Sequence, residues 1–398
     1  MSNNTTPSRE QLVALARERF ASFLAPLLSL LSRKVDPRLM RSFREGFTAI
    51  LTGFDADANL LLTSFAEGSA PGATKLIHTV KRFHRFLRND DWSDDDLRDH
   101  VLERSSRDVA EMDQDELMIV DLSSCKKKYA KKMEQLCGIH DTDDGLDNKK
   151  VSRGYPFLLA VRATLAKGPA HLVSWRLFSY RAPDFLSQNN VEWGFIETLW
   201  AKFGKSVVFT MDRGFGRFKL LGQMHEKGMR FVVRLKQDIG VDPGDERLIT
   251  LKWLSYAMAL VQWNRVYDVK EKREKIVRYG WRKIKRAEIK GDVYLVISWL
   301  EGEETPWLLL TNEAIRNAAD AWRIVRIYWR RMEIEVSYPQ YPCKLLNFDY
   351  RAPSCNLLPR IDIDRSDGRN RTRFLFDPQL IYPKSSRVVA IRALMTFA

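Results

Sequence analysis

The sequence predicts an α/β protein in which a helical N-terminal region precedes a core of alternating strands and helices, and a β-rich insertion interrupts that core. Apolar residues recur at helical spacing between Leu12 and Leu24. Within residues 106–236, short apolar runs alternate with amphipathic segments and turn residues. Residues 237–310 change to short runs rich in β-branched and aromatic residues, which favour strands.

The helical N-terminal region covers residues 1–105, and two charge clusters stand out in it. Residues 81–88 alternate bases with apolar residues, so this segment is either a helix that lies against DNA phosphates or an amphipathic surface helix. Ser93 precedes three aspartates, Asp94 to Asp96, which is typical of a helix N-cap with acids in the first turn.

The first part of the core covers residues 106–236. The pattern predicts strands at Leu117–Asp121, Phe157–Ala166, His171–Tyr180, Ser206–Asp212 and Arg230–Lys236, with helices at Asn190–Phe203 and Phe218–Lys227. Gly214-Phe215-Gly216 is not a dinucleotide fingerprint, because Lys219 stands at the third glycine position.

The insertion, residues 237–310, carries a basic strip between Arg265 and Lys290, where eleven Lys or Arg residues and four acids leave a net charge of +7. We expect this strip either to meet DNA phosphates or to be a solvated hairpin. A last strand at Trp307–Thr311 and a helix at Ala319–Ser337 return to the core, so residues 311–338 form its final helical part. The tail, residues 339–398, has a helix-like pattern only near its end, from Ser386 to Phe397.

Composition limits the class of partner. The 398 residues carry a net charge of +14 with a pI near 9.6, which favours a polyanion such as nucleic acid. The apolar stretch Phe23–Leu31 is too short and too interrupted to span a bilayer, and the first residues lack the features of a signal peptide. The four cysteines have no zinc-site spacing, so we expect reduced thiols in a soluble, intracellular protein.

Three carboxylates occupy positions that a metal-dependent phosphoryl-transfer site requires. Asp121 and Asp212 each end an apolar run, and Glu335 lies on the last core helix. An acid at the tip of a buried strand is costly unless it is paired or binds a metal. Tyr328, Arg331 and Glu335 follow one another at spacings of three and four residues, which places all three on one helix face.

These residues carry a resemblance to a known family. The pattern Tyr-x2-Arg-x3-Glu at 328–335, with Asp-Arg-Gly-Phe at 212–215 and the earlier strand-end Asp121, resembles the DDE transposases of bacterial insertion sequences, in the branch with a β-rich insertion. The resemblance covers roughly residues 10–338. It implies an RNase H-like core that cuts and joins DNA with two Mg²⁺ ions, for which Mn²⁺ can substitute, held by the three carboxylates.

The resemblance also implies partners and further residues. The partners are double-stranded DNA, both inverted-repeat ends and target, and a second copy of the chain; the location is the bacterial cytoplasm, at the nucleoid, with no membrane. Arg331 would contact phosphate with support from Tyr328, and Trp281 would hold a flipped base. The residues predicted from charge and position to contact DNA are Arg213, Lys126, Lys127, Arg273, Lys275, Arg282 and Lys283. For Lys126 and Lys127 the alternative is a solvated edge.

One departure keeps two alternatives open. The family pattern continues to a lysine seven residues after the glutamate, but position 342 is a proline, and Pro339 also interrupts the helix. Lys344 is the nearest lysine. The alternatives are a catalytically weakened, transposase-derived DNA-binding protein and an RNase H-like nuclease that cuts DNA without joining strands.

Overall fold

The structure is a computed structural model. It describes residues 18, 22, 25–52, 73–107, 116–127, 133–140, 151–166, 170–244, 246–268, 271–337, 361–364 and 371–374. At 45–52, 73–77, 107, 140, 333–337, 361–364 and 371–374 it describes the backbone alone. The chain divides into two compact units. The first contains Met1–His100, Lys127–Leu136 and Phe348–Ala398, and the second contains Val101–Lys126 and Cys137–Asn347.

The described part of the first unit is mainly helical. Helix α1 spans Pro37–Thr52 and α2 spans Ala73–Arg88, while α3, Asp94–Arg107, begins in this unit. The predicted cap of α3 is confirmed, because the Ser93 hydroxyl accepts from the Asp96 amide at 3.3 Å and the Asp96 carboxylate accepts from the Ser93 amide at 2.9 Å. The rings of Phe43, Phe86 and Trp92 stack at 4.9 and 4.8 Å to form its core.

The second unit is built on one ten-stranded sheet of parallel and antiparallel strands. Its first strands are β1 (Glu116–Lys126), β2 (Cys137–His140), β3 (Val151–Thr164), β4 (His171–Leu177), β5 (Val207–Met211) and β6 (Arg230–Arg234). The insertion adds a small ribbon of β7 (Gly240–Val241) and β8 (Ile249–Thr250), then β9 (Gln262–Asp268), β10 (Arg273–Arg286) and β11 (Ile289–Leu300), before β12 (Trp307–Thr311). The insertion strands extend the core sheet, because β12 pairs with both β11 and β6.

The strand order places three parallel strands at the centre of the sheet. The order is β2-β3-β1-β5-β6-β12-β11-β10-β9, and β4 also pairs with β3. Strands β1, β5 and β6 run parallel to one another, whereas the pairs of β1 with β3 and of β6 with β12 are antiparallel. The protein is therefore a mixed α/β protein with a large sheet.

Helices cover both faces of this sheet. Helices α4 (Gln188–Phe203) and α5 (Phe218–Glu226) share one apolar core with the strands, to which Leu199, Leu221, Val120, Phe209 and Phe231 contribute. Helix α7 (Ala318–Ser337) lies on the opposite face, where the Trp322 and Tyr279 rings are 5.4 Å apart. None of the described helices is both long and apolar enough to cross a bilayer.

Most predicted elements are confirmed, with several differences. Strand β2 was not predicted, and β3 begins at Val151 rather than at Phe157. Strand β1 does not end at Asp121 but continues to Lys126, because β3 stays paired beside it over that length. The insertion also contains a helix that the sequence pattern did not predict, α6 (Leu251–Ala257), capped by the Thr250 hydroxyl. The predicted helices at Leu12–Leu24 and Ser386–Phe397 lie outside the described residues, apart from isolated positions.

Candidate active site

The register of the three parallel strands aligns three polar residues. Val120, Met211 and Val233 are paired side by side across β1, β5 and β6. The residues that follow these three are Asp121 on β1, Asp212 directly after the end of β5, and Arg234 at the end of β6, so they lie next to one another. Because neighbouring strands lie about 4.8 Å apart, two carboxylates and an arginine share one edge of the sheet.

All three side chains point to the face that helix α7 covers. Successive side chains of a strand point to opposite faces. Val120, Met211 and Val233 belong to the apolar core beneath α4 and α5. Asp121, Asp212 and Arg234 therefore point the other way, toward α7.

Helix α7 places two of its predicted site residues over this edge. The Arg331 guanidinium donates a hydrogen bond to Asp121 Oδ1 at 3.2 Å. The Arg331 side chain is 4% exposed and that of Asp121 is 24% exposed, so the ion pair is largely shielded from solvent. The Arg331 guanidinium also lies over the ring of Tyr328, 5.6 Å from its centroid, within the range of a cation–π contact.

The electrostatics of the edge link these residues to one another. Burial raises the pKa of Asp121; the positive charge of Arg331 opposes this shift, and the negative charge of Asp212 adds to it. Burial likewise raises the pKa of the Tyr328 hydroxyl, against the charges of Arg331 and Arg234, and Asp212 raises it further. The two aspartates thus repel each other, and a cation between them would stabilise both.

The turn after β5 fixes the position of Asp212. Its Oδ1 accepts a hydrogen bond from the Gly214 amide at 2.7 Å, which caps the short helical turn Arg213–Phe215. A side chain at position 214 would start 3.0 Å from that same oxygen, so glycine fits there. Phe215 is 1% exposed and anchors the turn in the core. The Asp-Arg-Gly-Phe pattern thus has a structural explanation as well as the predicted catalytic one.

Helix α7 is held to the sheet by an ion-pair cluster. Glu313, just after β12, accepts from Arg230 of β6 at 2.7 and 2.8 Å and from Arg323 of α7 at 3.0 Å. Farther along α7, Arg330 donates to the Thr164 carbonyl at 3.2 Å. These contacts fix where Tyr328 and Arg331 lie along the sheet.

The third predicted carboxylate is described only by its backbone. Helix α7 continues to Ser337, so Glu335 lies one turn beyond Arg331, as predicted, while its side chain lies outside the described residues. Among the side chains that are described, no group of three or more His, Cys, Asp or Glu residues is arranged to hold a metal. The two aligned aspartates offer hard oxygen ligands of the type that Mg²⁺ and Mn²⁺ prefer, so the described part of the site fits such an ion.

The residues predicted to contact DNA near this edge differ in exposure. Arg213 is exposed directly beside Asp212. Lys126 and Lys127 are instead 9% and 8% exposed. Their role in DNA contact remains a prediction.

Several of the bases in the strip, including three that are predicted to contact DNA, form ion pairs within their own hairpins. Lys275 is 2% exposed and donates to Asp268 at 2.8 Å and to Glu271 at 2.6 Å. Arg273 pairs with Glu271 at 2.8 Å, and Lys283 pairs with Asp292 at 2.6 Å.

The two remaining predicted residues of the strip lie on β10. Arg282 donates to the Pro243 carbonyl at 3.0 Å. Trp281 is half-buried. It lies two residues after Tyr279 on β10, so its side chain is on the same face of the sheet as Tyr279, the face that α7 covers. That placement is compatible with a base-holding role, which remains a prediction.

Sequence reasoning missed Arg234. It follows the apolar run Phe231–Val233 at the end of a buried strand, as Asp121 and Asp212 follow theirs. A search for any charged residue at a buried strand end, rather than for acids alone, would have found it.

Comparisons with solved structures give several similar chains, one of them a transposase. No family model matches the chain, and no curated protein sequence matches it. The chain is similar to the solved structure described as a cryo-EM structure of piggyBac transposase synaptic complex with hairpin DNA, with 10% sequence identity and a TM-score of 0.41. The match covers 78% of this chain and 60% of that one, so the chain spans less than two thirds of that protein. A likeness at this TM-score does not establish a shared fold.

Proposed function

We propose that this protein is a DNA transposase that cuts and joins the ends of an insertion sequence by phosphoryl transfer. The observation that carries the proposal is the alignment of Asp121 and Asp212 on one face of adjacent parallel strands, with Arg331 of α7 bonded to Asp121. Two carboxylates side by side repel each other, so their arrangement favours cation binding. An arginine beside them supplies the donors that a phosphate requires.

The strand order supports an RNase H-like core. The antiparallel strands β4, β3 and β1 lead into β5 and β6, which run parallel to β1. Helices α4 and α5 connect the parallel strands on one face, and α7 covers the other. This is the arrangement that the family resemblance implies, with β7–β11 as the insertion.

In this proposal Asp121, Asp212 and Glu335 hold two Mg²⁺ or Mn²⁺ ions. When bound, the ions activate the attacking oxygen and stabilise the leaving oxygen. Water first displaces the 3′-oxygen of the scissile phosphodiester: an oxygen–phosphorus bond forms, the phosphorus–3′-oxygen bond breaks, and a 3′-hydroxyl is released. That hydroxyl then attacks a target phosphate in the same way.

The residues of this chain position the phosphate. Arg331 donates to Asp121, and its planar guanidinium is of the kind that binds phosphate oxygens through two donors at once. Tyr328 is 1% exposed beneath Arg331 and keeps that guanidinium in place. Burial of Arg331 and Tyr328 strengthens their interaction with an incoming charge.

Double-stranded DNA, both transposon ends and target, is the proposed partner, bound by a homodimer because two ends must be cut together. Helix α2 of the first unit suits DNA binding. It buries Val80, Phe83 and Phe86 and exposes Lys81, Arg85 and Arg88, which share one face by their spacing of four and three residues. The proposed location is the bacterial cytoplasm, at the nucleoid.

Two alternatives keep the same site. A catalytically weakened DNA-binding protein is favoured by Pro339 and Pro342, which stand where the family pattern continues the helix toward a lysine. A nuclease of the same fold would use the same carboxylates but would join no strands.

The test is nicking of supercoiled plasmid DNA by the full chain in Mg²⁺ or Mn²⁺. We expect relaxed circles from the natural sequence and none from Asp212→Asn. Glu226→Gln, which changes an exposed carboxylate just before the start of β6 and so at the other end of that strand, should keep full activity. DNA binding without nicking would support the weakened protein. Nicking without joined products would support the nuclease. A chain that neither binds nor nicks DNA would overturn the proposal.

A further inference from the structure

The outer strands of the insertion expose a cluster of large apolar side chains. Of the ten such side chains that are exposed in the described part of the chain, seven lie within residues 248–276. Four of these seven are aromatic and 51–61% exposed: Trp253, Tyr256, Trp263 and Tyr267. Tryptophan and tyrosine are enriched where a protein contacts a partner, so this cluster marks a candidate interaction surface.

The cluster forms one continuous surface. Cross-strand pairing joins Trp263 of β9 to Arg278 of β10, and Arg278 to Trp299 of β11, and side chains directly opposite in a sheet share a face. The Trp299 ring contacts the Tyr256 ring of α6, with centroids 5.6 Å apart. The other members stand an even number of residues from Trp263 or Arg278, which keeps them on that face. We call this surface the aromatic face; its residues are Tyr256, Trp263, Arg265, Tyr267, Ile276 and Arg278.

The aromatic face is on the side of the sheet opposite to the candidate active site. Ile284 of β10 belongs to the core beneath α4 and α5, and Arg278, six residues earlier, points to the same side. Asp121 and Asp212 point to the other side, toward α7. The aromatic face is therefore separate from the carboxylate edge, and none of the residues assigned to phosphoryl transfer lies on it.

The charges on and around the aromatic face favour a protein partner over a nucleic acid. Arg265 and Arg278 are exposed on it, and Arg265 pairs with Glu274 at 3.6 Å. Glu301 borders it, because this carboxylate accepts from the Ile276 amide at 3.0 Å. The same turn carries two further exposed acids, Glu303 and Glu304. Acids at one border would repel a phosphate backbone, whereas two identical faces of mixed charge can pair base to acid about a two-fold axis.

The apolar area is that of a stable dimer. An aromatic residue buries roughly 150–250 Å² when fully enclosed, so four that are about half exposed can still bury roughly 400 Å² per chain. Val261 and Ile276 are exposed as well and add to this area. A standard interface buries about 800 Å² on each partner, of which about 57% is apolar. The cluster supplies an apolar area of that size.

We propose that the aromatic face packs against the aromatic face of a second copy of this chain, about a two-fold axis. The choice of partner rests on the proposed function, which requires two copies of the chain on the DNA. The inference deepens that function by assigning the surface through which the copies associate. It places the interface behind the sheet, so that dimer formation leaves both carboxylate edges open to DNA.

The experiment measures the oligomeric state of the full chain without DNA, by sedimentation velocity across micromolar concentrations. We expect the natural chain to be a dimer. The double variant Trp263→Lys/Tyr267→Lys should raise the dissociation constant at least about 100-fold, because each dimer loses four aromatic anchors. Val151→Lys, which changes an exposed apolar residue at the start of β3, is the matched control and should remain a dimer. The thermal midpoint of each variant checks that it folds.

Cross-linking gives a second measurement that does not depend on removing the aromatic residues. Arg265→Cys and Ile276→Cys place single thiols on the aromatic face, and a short bismaleimide should join two chains through at least one of them. Val151→Cys should give no more cross-linked dimer than the natural chain. Cross-linking at neither face position above that control would overturn the inference, whatever the double variant does.

The remaining outcomes separate this inference from the proposed function. A natural chain that is monomeric, or a dimer that the double variant leaves intact, would overturn the inference; if that chain still nicks plasmid DNA, the proposed function stands. A monomer whose affinity for a fluorescent single-stranded oligonucleotide falls with the same two substitutions would assign the aromatic face to nucleic acid and overturn the inference. A dimer that is lost in the double variant supports it, even if the chain nicks no DNA and the proposed function fails.

Discussion

The strand-end edge and the basic strip differ in how their charges are balanced. At the edge, Asp121 and Asp212 lie side by side, and the protein supplies Arg331 to the first and places Arg234 beside the second. In the strip, which carries a net charge of +7, Arg273, Lys275 and Lys283 pair with carboxylates of their own hairpins. The count of charges along a sequence therefore overestimates the phosphate-binding capacity of the strip and underestimates the importance of the edge.

The difference has a physical origin. A strand pair brings residues distant in sequence together, and acids outside the strip, such as Asp292 and Glu301, contact its bases. At the edge, parallel pairing places like charges together that no local pattern would bring into contact. Excess charge of one sign in a partly buried site costs free energy, so such a site is where a ligand of opposite charge is expected.

The largest effect should come from removing an edge carboxylate. Asp212→Asn keeps the cap to Gly214, because the amide oxygen can still accept, yet removes the charge that a metal requires. We expect nicking to fall by at least about 10³-fold. The measurement is single-turnover nicking, with circular dichroism to check folding. Retention of more than a tenth of the rate would place the chemistry elsewhere.

Substitution of Arg331 should have the second-largest effect, and it should change both the nicking rate and the stability. Arg331→Ala leaves Asp121 without its guanidinium partner beside a second aspartate, so we expect a loss of about 2–3 kcal/mol in the free energy of unfolding. Arg331→Lys should recover more stability than nicking, because it restores the charge but not the planar group. Urea unfolding and nicking measured on both variants test this. Equal recovery of the two would argue against a role in phosphate contact.

The cluster at Glu313 should matter for stability and only indirectly for chemistry. Burial would raise the pKa of Glu313, but the hydrogen bonds and charges of Arg230 and Arg323 hold it below its usual value. A lowered carboxyl pKa means that this stability is present at neutral pH and is lost as the pH falls through that lowered pKa. Glu313→Gln should lower the free energy of unfolding by about 1–3 kcal/mol at pH 7 and by much less in acid, as measured by urea unfolding at both pH values. A cost that does not change with pH would contradict the ion-pair account.

Sequence reasoning predicted most of the elements, and also the two strand-end aspartates that the structure brings together, for identifiable reasons. Apolar runs marked β1 and β5, and the acids that follow them proved to be neighbours because parallel strands align their carboxyl ends. It missed Arg234, whose importance depends on the register of β6 against β5. It also could not foresee that Lys275 is enclosed by Asp268 and Glu271, since those contacts require the β9–β10 pairing.

The smallest effect should distinguish the two basic surfaces of the chain. Replacing Lys81, Arg85 and Arg88 of α2 by Ala should reduce the slope of log affinity against log salt by roughly 2–3, about 0.9 for each phosphate that the protein no longer neutralises. Replacing Arg273, Lys275, Arg282 and Lys283 should reduce it by less, although more residues change, because these side chains already bond to carboxylates or to a carbonyl.

Within the strip, Lys275→Ala should lower the thermal midpoint and Lys283→Ala should not, since Lys275 is enclosed and the Lys283 pair is solvated. A strip variant that flattens the slope more than the α2 variant, with its thermal midpoint unchanged, would show that DNA displaces the internal ion pairs and would return the strip to the DNA path.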